Sequence, residues 1–200
     1  MGAAAESGSI FGLVLLYIWW IRPFFPYFWV LLLVAVLISH VVRRETPEKL
    51  GFRKVDFGAC AASYGLWVLG AVALLIGMGA AFRSFREITP VWAAINFGLY
   101  LGWGLFQQYV LNGYFVNRFV RFTRQAPLVA GLAFAAAHTP NWFLMVATGV
   151  GGYCAARVYL RYRNLYFLGL AHGVLGFVLY WVVPDSISHH LYVGPKWFSL

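Results

Sequence analysis

Three observations predict that the chain is an all-α polytopic membrane protein. Of its 200 residues, 62% are apolar and only 10% are charged, whereas about a quarter of the residues in an ordinary soluble domain are charged. The apolar residues form several uninterrupted runs that are long enough for membrane-spanning helices. These runs lack the apolar and polar alternation of membrane β-barrel strands. The composition therefore excludes a soluble globular, disordered or coiled-coil protein.

The apolar runs and the breakers between them predict about seven transmembrane helices in a single membrane domain. The helices are expected at residues 9–21, 24–42, 58–82, 91–117, 127–138, 142–156 and 165–183. Residues 1–44 supply the N-terminal helices, 45–183 a helical core, and 184–200 an amphipathic tail broken by proline and glycine. None of the acidic residues lies inside a predicted helix.

The basic residues predict how the chain is oriented. The net charge of +9 comes mainly from Lys and Arg clustered at 43–56, 118–125 and 157–163, between apolar runs. The positive-inside rule places these segments in the cytoplasm, together with the N-terminus. We therefore expect a multi-pass protein of the bacterial inner membrane that contacts membrane lipids, with no nucleic-acid partner. His40, at a helix end, is expected to be interfacial.

A few polar side chains interrupt the predicted spans. Gln107, His138 and His172 each lie roughly 15 Å from the nearest basic segment, near the middle of a bilayer. A polar side chain there must find a partner or line a cavity, which favours a functional site. The alternative is that these residues only form hydrogen bonds between helices.

These residues fall into three motifs that resemble the CAAX protease and bacteriocin-processing family of intramembrane proteases. Residues 107–112 (QQYVLN) align with the family's Glu-Glu-x-x-x-Arg, and Phe134 to His138 align with Phe-x-x-x-His. His172 with Gly176 aligns with the third motif, in which a small residue follows the histidine by four positions. The stretch 50–53 (LGFR) also resembles the segment that precedes the family's core helices, so the resemblance covers about residues 45–183.

The resemblance implies a helical core and a catalytic set of Gln107, Gln108, His138 and His172. In the family, the glutamate pair activates a water and the histidines orient it or stabilise the oxyanion. Glutamine cannot accept a proton as a general base, although its amide can position a water or bind a carbonyl. Asn112 replaces the family's arginine, so the site has lost both charges together. The fold therefore carries over, whereas catalysis by the usual glutamate does not.

Three classes of function remain open. The first is a protease of this family that hydrolyses a membrane-embedded or prenylated peptide. The second is a different membrane enzyme on the same scaffold, acting on a lipid or isoprenoid substrate with or without a metal. The third is a non-catalytic relative that binds a membrane peptide or lipid.

Two further groups of residues are candidates for ligand binding. Neutral polar and aromatic residues beside the motifs predict a substrate pocket, with ordinary packing as the alternative; they are Trp103, Tyr109, Asn112, Phe134 and Asn141. Histidine is the commonest metal ligand. A tail that folds back would join two tail histidines to the motif histidines and hold a divalent metal such as zinc or iron; the alternative is an interfacial histidine pair. The four candidate metal ligands are His138, His172, His189 and His190.

Overall fold

The computed structural model describes residues 2–199, and within them the chain is helical with no β-strand. The helices are α1 (Ala3–Leu16), α2 (Phe28–Val42), α3 (Pro47–Leu50), α4 (Phe57–Phe82), α5 (Pro90–Gln108), α6 (Asn117–Phe119), α7 (Ala126–Ala136), α8 (Trp142–Tyr162), α9 (Leu165–Val182) and α10 (Asp185–Ser188). Two π-helical segments continue this order, Tyr17–Ile21 after α1 and Tyr109–Val116 between α5 and α6. The tail ends in 3-10 turns at His189–Leu191 and Gly194–Ser199.

The protein is an all-α integral membrane protein. Four helical segments are long and apolar enough to cross a bilayer: Ala3–Ile21, Phe57–Phe82, Trp142–Tyr162 and Leu165–Val182. The apolar helices α2 and α7 are shorter. Large apolar side chains such as Leu66 and Trp67 on α4 are exposed, as expected for a surface that faces lipid. The expected number of seven membrane crossings stays a prediction.

Close backbone contacts bring the motif helices together. A Cβ atom added at Gly104 on α5 would lie only 2.6 Å from the backbone nitrogen of Gly173 on α9. A Cβ atom at Gly131 on α7 would lie 2.6 Å from the carbonyl oxygen of Gly149 on α8. Small residues allow such approaches between membrane helices, where packing drives association. The α5–α9 contact sets motif one beside motif three.

The core is centred on the stretch that runs from the end of α5 to α6. Every residue from 108 to 119 is buried, except for the half-buried residue 110. Three of its side chains are fully buried: Tyr114, Val116 and Arg118. This stretch contacts α1, α3, α7, α8 and α9, so it is surrounded by protein rather than lipid.

The charged residues differ from the sequence expectation in two respects. Helix α1 begins at Ala3, so Glu6 lies inside a membrane-length helix, and the prediction that no acidic residue does so was wrong. Glu6 is tolerated there because Arg43 and Arg118 donate hydrogen bonds to its carboxylate. Helix α8 extends to Tyr162, so most of the expected third basic loop is helical.

Candidate functional site

A chain of hydrogen bonds joins the first motif to the third. The buried Gln108, which is 3% exposed, donates from Nε2 to Nδ1 of His172 over 2.8 Å. Asn112 donates from Nδ2 to Oε1 of Gln108 over 2.6 Å. The Oδ1 atom of Asn112 is buried and has no hydrogen-bond partner among the described residues. We call these three side chains the amide–histidine chain.

The second motif adjoins this chain through an aromatic ring. The ring centroid of Phe134 lies 4.9 Å from that of His138 and 5.9 Å from that of His172. His138 follows α7 in the turn before α8, where its Nδ1 lies 2.7 Å from the carbonyl oxygen of Phe134. Phe134 thus lies beside both histidines, and His172 links them to Gln108 of the first motif.

The hydrogen bonds assign opposite tautomers to the two histidines. The Nδ1 atom of His172 accepts a hydrogen from Gln108, so its Nε2 carries the ring proton. The Nδ1 atom of His138 faces a carbonyl oxygen, which can only accept, so this nitrogen is protonated and Nε2 has a lone pair. The site therefore has a hydrogen-bond donor at Nε2 of His172 and an acceptor at Nε2 of His138.

Other sequence-predicted residues do not join the chain. Gln107 is half-buried, and its side chain forms no hydrogen bond with residues 2–199. Trp103 is 53% exposed and packs on Phe106. Tyr109 is buried, with its ring near that of His40, and its hydroxyl has no partner within the described chain.

Asn141 has a structural use. Its Oδ1 accepts from the backbone N–H of Leu144 and so caps α8, while its Nδ2 donates to the carbonyl oxygens of Ser188 and Tyr192. The amide therefore holds the tail against the start of α8, and this contact occupies its polar atoms. That arrangement opposes the predicted use of Asn141 in substrate binding.

The tail folds back onto the start of α8, as one of the two alternatives required, but it does not assemble the four candidate metal ligands. The His189 ring stacks on Trp197 at a centroid distance of 3.8 Å. The Nδ1 atom of His190 lies 3.1 Å from Oδ1 of Asp185. Within residues 2–199, no group of three or more His, Cys, Asp or Glu side chains is placed to hold a metal ion. The predicted three-histidine site is absent from that part of the chain because other partners hold both tail rings.

A charged cluster that the sequence did not suggest lies one to two turns beyond the amide–histidine chain. Arg118, fully buried, donates to Oε1 of Glu6 over 2.9 Å and to both oxygens of Glu45 over 2.8 and 2.9 Å. His40 is 4% exposed, and its Nδ1 lies 2.7 Å from Oε2 of Glu45. His40 lies in the last turn of α2, so its expected interfacial position stays a prediction, whereas the assignment of Arg118 to a loop was wrong because Arg118 lies in α6. We call Glu6, His40, Glu45 and Arg118 the charged cluster.

The cluster keeps Glu45 ionised. Burial raises the pKa of this carboxyl, but hydrogen bonds from Arg118 and His40 outweigh burial, so the pKa of Glu45 lies below its ordinary value. The ring of Tyr114 also lies under the Arg118 guanidinium, 5.0 Å from its carbon. Sequence spacing could have suggested only the pair of His40 and Glu45, five residues apart across a helix end.

The fold and the site together define an integral membrane protein with a polar site buried between its helices. Residues 89–178 match a family model described as Type II CAAX prenyl endopeptidase Rce1-like. These residues contain all three motifs, and the match supports the resemblance to the CAAX protease and bacteriocin-processing family that the sequence predicted. The stretch 50–53 lies outside the match. Comparison with curated proteins and with solved structures gave no match.

Proposed function

We propose that the protein is a CAAX-protease-type intramembrane hydrolase that acts on a membrane-embedded or prenylated peptide. The observation that carries the proposal is the hydrogen bond between Gln108 and His172, which joins two family motifs. The basic end of the bundle faces the cytoplasm of a bacterial inner membrane in this proposal, because that end carries most of the Lys and Arg residues.

The two histidine tautomers supply the groups that peptide hydrolysis needs. A water attacks the scissile carbonyl while the lone pair on Nε2 of His138 accepts its proton. The Nε2–H of His172 donates to the carbonyl oxygen as negative charge develops there. His138 then returns the proton to the departing amine nitrogen. In this scheme Gln108 is a positioning residue, because its amide fixes the tautomer of His172.

The test separates binding from cleavage. The protein is reconstituted in liposomes with a farnesylated CAAX peptide, and peptide binding and product formation are measured independently. We expect His138→Ala to abolish cleavage and to preserve binding, and Gln108→Leu to lower the turnover rate. His190→Ala is the control, because this side chain lies in the tail and contacts Asp185. Equal cleavage by His138→Ala and the unaltered protein would refute the proposed base.

One observation favours a second candidate, a relative that binds such a peptide without cleaving it. The amide–histidine chain contains no carboxylate, and a neutral imidazole is its only base. Binding without product from the unaltered protein supports this candidate. Product formation by Gln107→Glu/Gln108→Glu would then show that only the base is missing.

A further inference from the structure

Two adjoining cavities open at the basic end of the bundle. The first, of about 280 Å³, is lined by four cationic side chains together with Glu45, Asn117 and Val120; the four are Arg43, Lys49, Arg121 and Arg163. The second, of about 480 Å³, shares Val120 and Arg121 with the first and adds Phe122 and Leu160 among its lining residues. We call the first the basic cavity and the second the mixed cavity.

The basic cavity retains positive charge despite the carboxylate in its wall. Both oxygens of Glu45 already accept hydrogen bonds from the buried Arg118, which does not line the cavity. Glu45 also accepts from Arg121, and Glu6 accepts from Arg43, so within residues 2–199 Lys49 and Arg163 are the lining cations that have no carboxylate partner. A cavity lined by cations attracts anions over distances up to about 8 Å in physiological salt.

One cation of the basic cavity is held in place before any ligand arrives. Arg163 donates from Nη1 to Oδ1 of Asn117 over 2.9 Å and to the carbonyl oxygen of Lys49 over 3.2 Å. Its guanidinium also lies over the Tyr159 ring, 5.5 Å from the centroid. Asn117 is itself fixed, because its Nδ2 donates to the Tyr159 hydroxyl and to the carbonyl oxygen of Gly113. This arrangement reduces the entropy lost on binding.

Donors remain free for an anion. Within residues 2–199, the Nε and Nη2 atoms of Arg163 and the Nζ atom of Lys49 form no hydrogen bond. Arg121 donates only one hydrogen bond to these residues, from Nη2 to Glu45. A guanidinium has five N–H donors in a planar fork that suits phosphate oxygens. The basic cavity thus has several uncommitted donors around a volume of about 280 Å³, comparable to roughly nine water-sized groups.

We propose that the basic cavity binds the phosphate of an anionic phospholipid. The mixed cavity continues from it past the exposed side chains of Val120 and Phe122 and the half-buried Leu160, a surface that suits the glycerol and the first acyl carbons. Basic sites between helix ends at a membrane surface are suited to anionic headgroups. This adjoining apolar wall favours a lipid over a free phosphate, and the inference does not depend on the proposed function.

Lipid binding to the purified full chain in detergent micelles tests the proposal. Native mass spectrometry measures the affinity for dioleoylphosphatidylglycerol and for dioleoylphosphatidylcholine. We expect the anionic lipid to bind more tightly and Arg121→Gln/Arg163→Gln to weaken it about thirtyfold, as the removal of two cations beside an anionic headgroup implies. The matched control is Arg157→Gln/Arg161→Gln, which removes two exposed cations of α8 that line neither cavity. This control should lose less than about threefold.

The remaining outcomes decide the source and specificity of the anion. Equal losses in the two double variants, or equal binding of the two lipids, would overturn the proposal. Inorganic phosphate that raises the unfolding temperature as much as the anionic lipid would also overturn it in favour of a free anion. Lys49→Gln provides a variant on an exposed side chain that leaves the packing intact, and we expect it to weaken lipid binding about fivefold.

Discussion

The amide–histidine chain and the charged cluster lie along the same helical stretch, yet opposite kinds of interaction hold them. The first uses neutral amides and imidazoles, each with one or two partners. In the second, Arg118 donates to Glu6, Ser39 and Glu45 from α1, α2 and the loop after α2. Buried charges require partners on every side, whereas a neutral amide tolerates an unfilled bond at lower cost. The polar atoms of Arg118 are therefore occupied by partners within the protein, whereas the amide–histidine chain retains atoms that can bind a ligand.

Arg118→Met should have the largest effect on this contrast. The substitution leaves Glu6 and Glu45 buried without their shared cation, which costs about 3–5 kcal/mol of unfolding free energy. Tryptophan fluorescence during urea unfolding in micelles measures the loss. Arg121→Met is the matched control, since Arg121 is 45% exposed in its side chain and donates once to Glu45; it should cost less than about 1 kcal/mol. Equal costs would mean that burial does not distinguish the two arginines.

Acid should weaken the charged cluster before the neutral chain. Because the pKa of Glu45 is lowered in the folded protein, the carboxylate stabilises the fold above its ordinary pKa of about 4.5 and loses that contribution as the pH falls below it. We expect the unfolding temperature to be nearly constant above about pH 5 and to decline as the pH falls below that value. The decline should be shallower in Glu45→Gln and unchanged in Gln108→Leu. An identical slope in Glu45→Gln would contradict the assigned ionisation.

Within the neutral chain, the effect on stability should be smaller. Gln108→Leu removes the hydrogen bonds to His172 and Asn112, at a cost of about 1 kcal/mol. Gln107→Leu makes the same chemical change at the adjacent position, where the side chain forms no hydrogen bond with the described residues, and should leave unfolding nearly unchanged. Equal losses at both positions would show that the chain contributes nothing specific.

The smallest expected effect is spectroscopic. Nitrogen-15 NMR of labelled histidine should show the proton of His172 on Nε2 and that of His138 on Nδ1. Gln108→Glu should reverse His172, because a carboxylate accepts and Nδ1 must then donate. An unchanged His172 tautomer in this variant would remove Gln108 from its positioning role, while the His138 signal serves as the internal control.

The sequence predicted local and periodic features well, and long-range partners poorly. The common depth of Gln107 and His172 indicated that their helices meet, although the contact is made by Gln108. The pairing of Glu6 with Arg118 spans more than a hundred positions, and no periodic pattern records it. The π-helical segment was also missed, since nearly all of its residues are buried and no exposed polar face marks its period in the sequence.

That π-helical segment separates the amide–histidine chain from the charged cluster both along the helix axis and by rotation about it. Each π turn takes about one residue more than an α turn, so side chains after Tyr109–Val116 are rotated backwards relative to an unbroken α-helix. Gln108 consequently faces α9, while Arg118 faces α1 and α2. Removal of one residue between 109 and 116 would restore part of the α-helical phase and turn the arginine away from both carboxylates. The length of this stretch is therefore constrained independently of its composition, and a deletion here should harm the protein more than a conservative substitution at the same place.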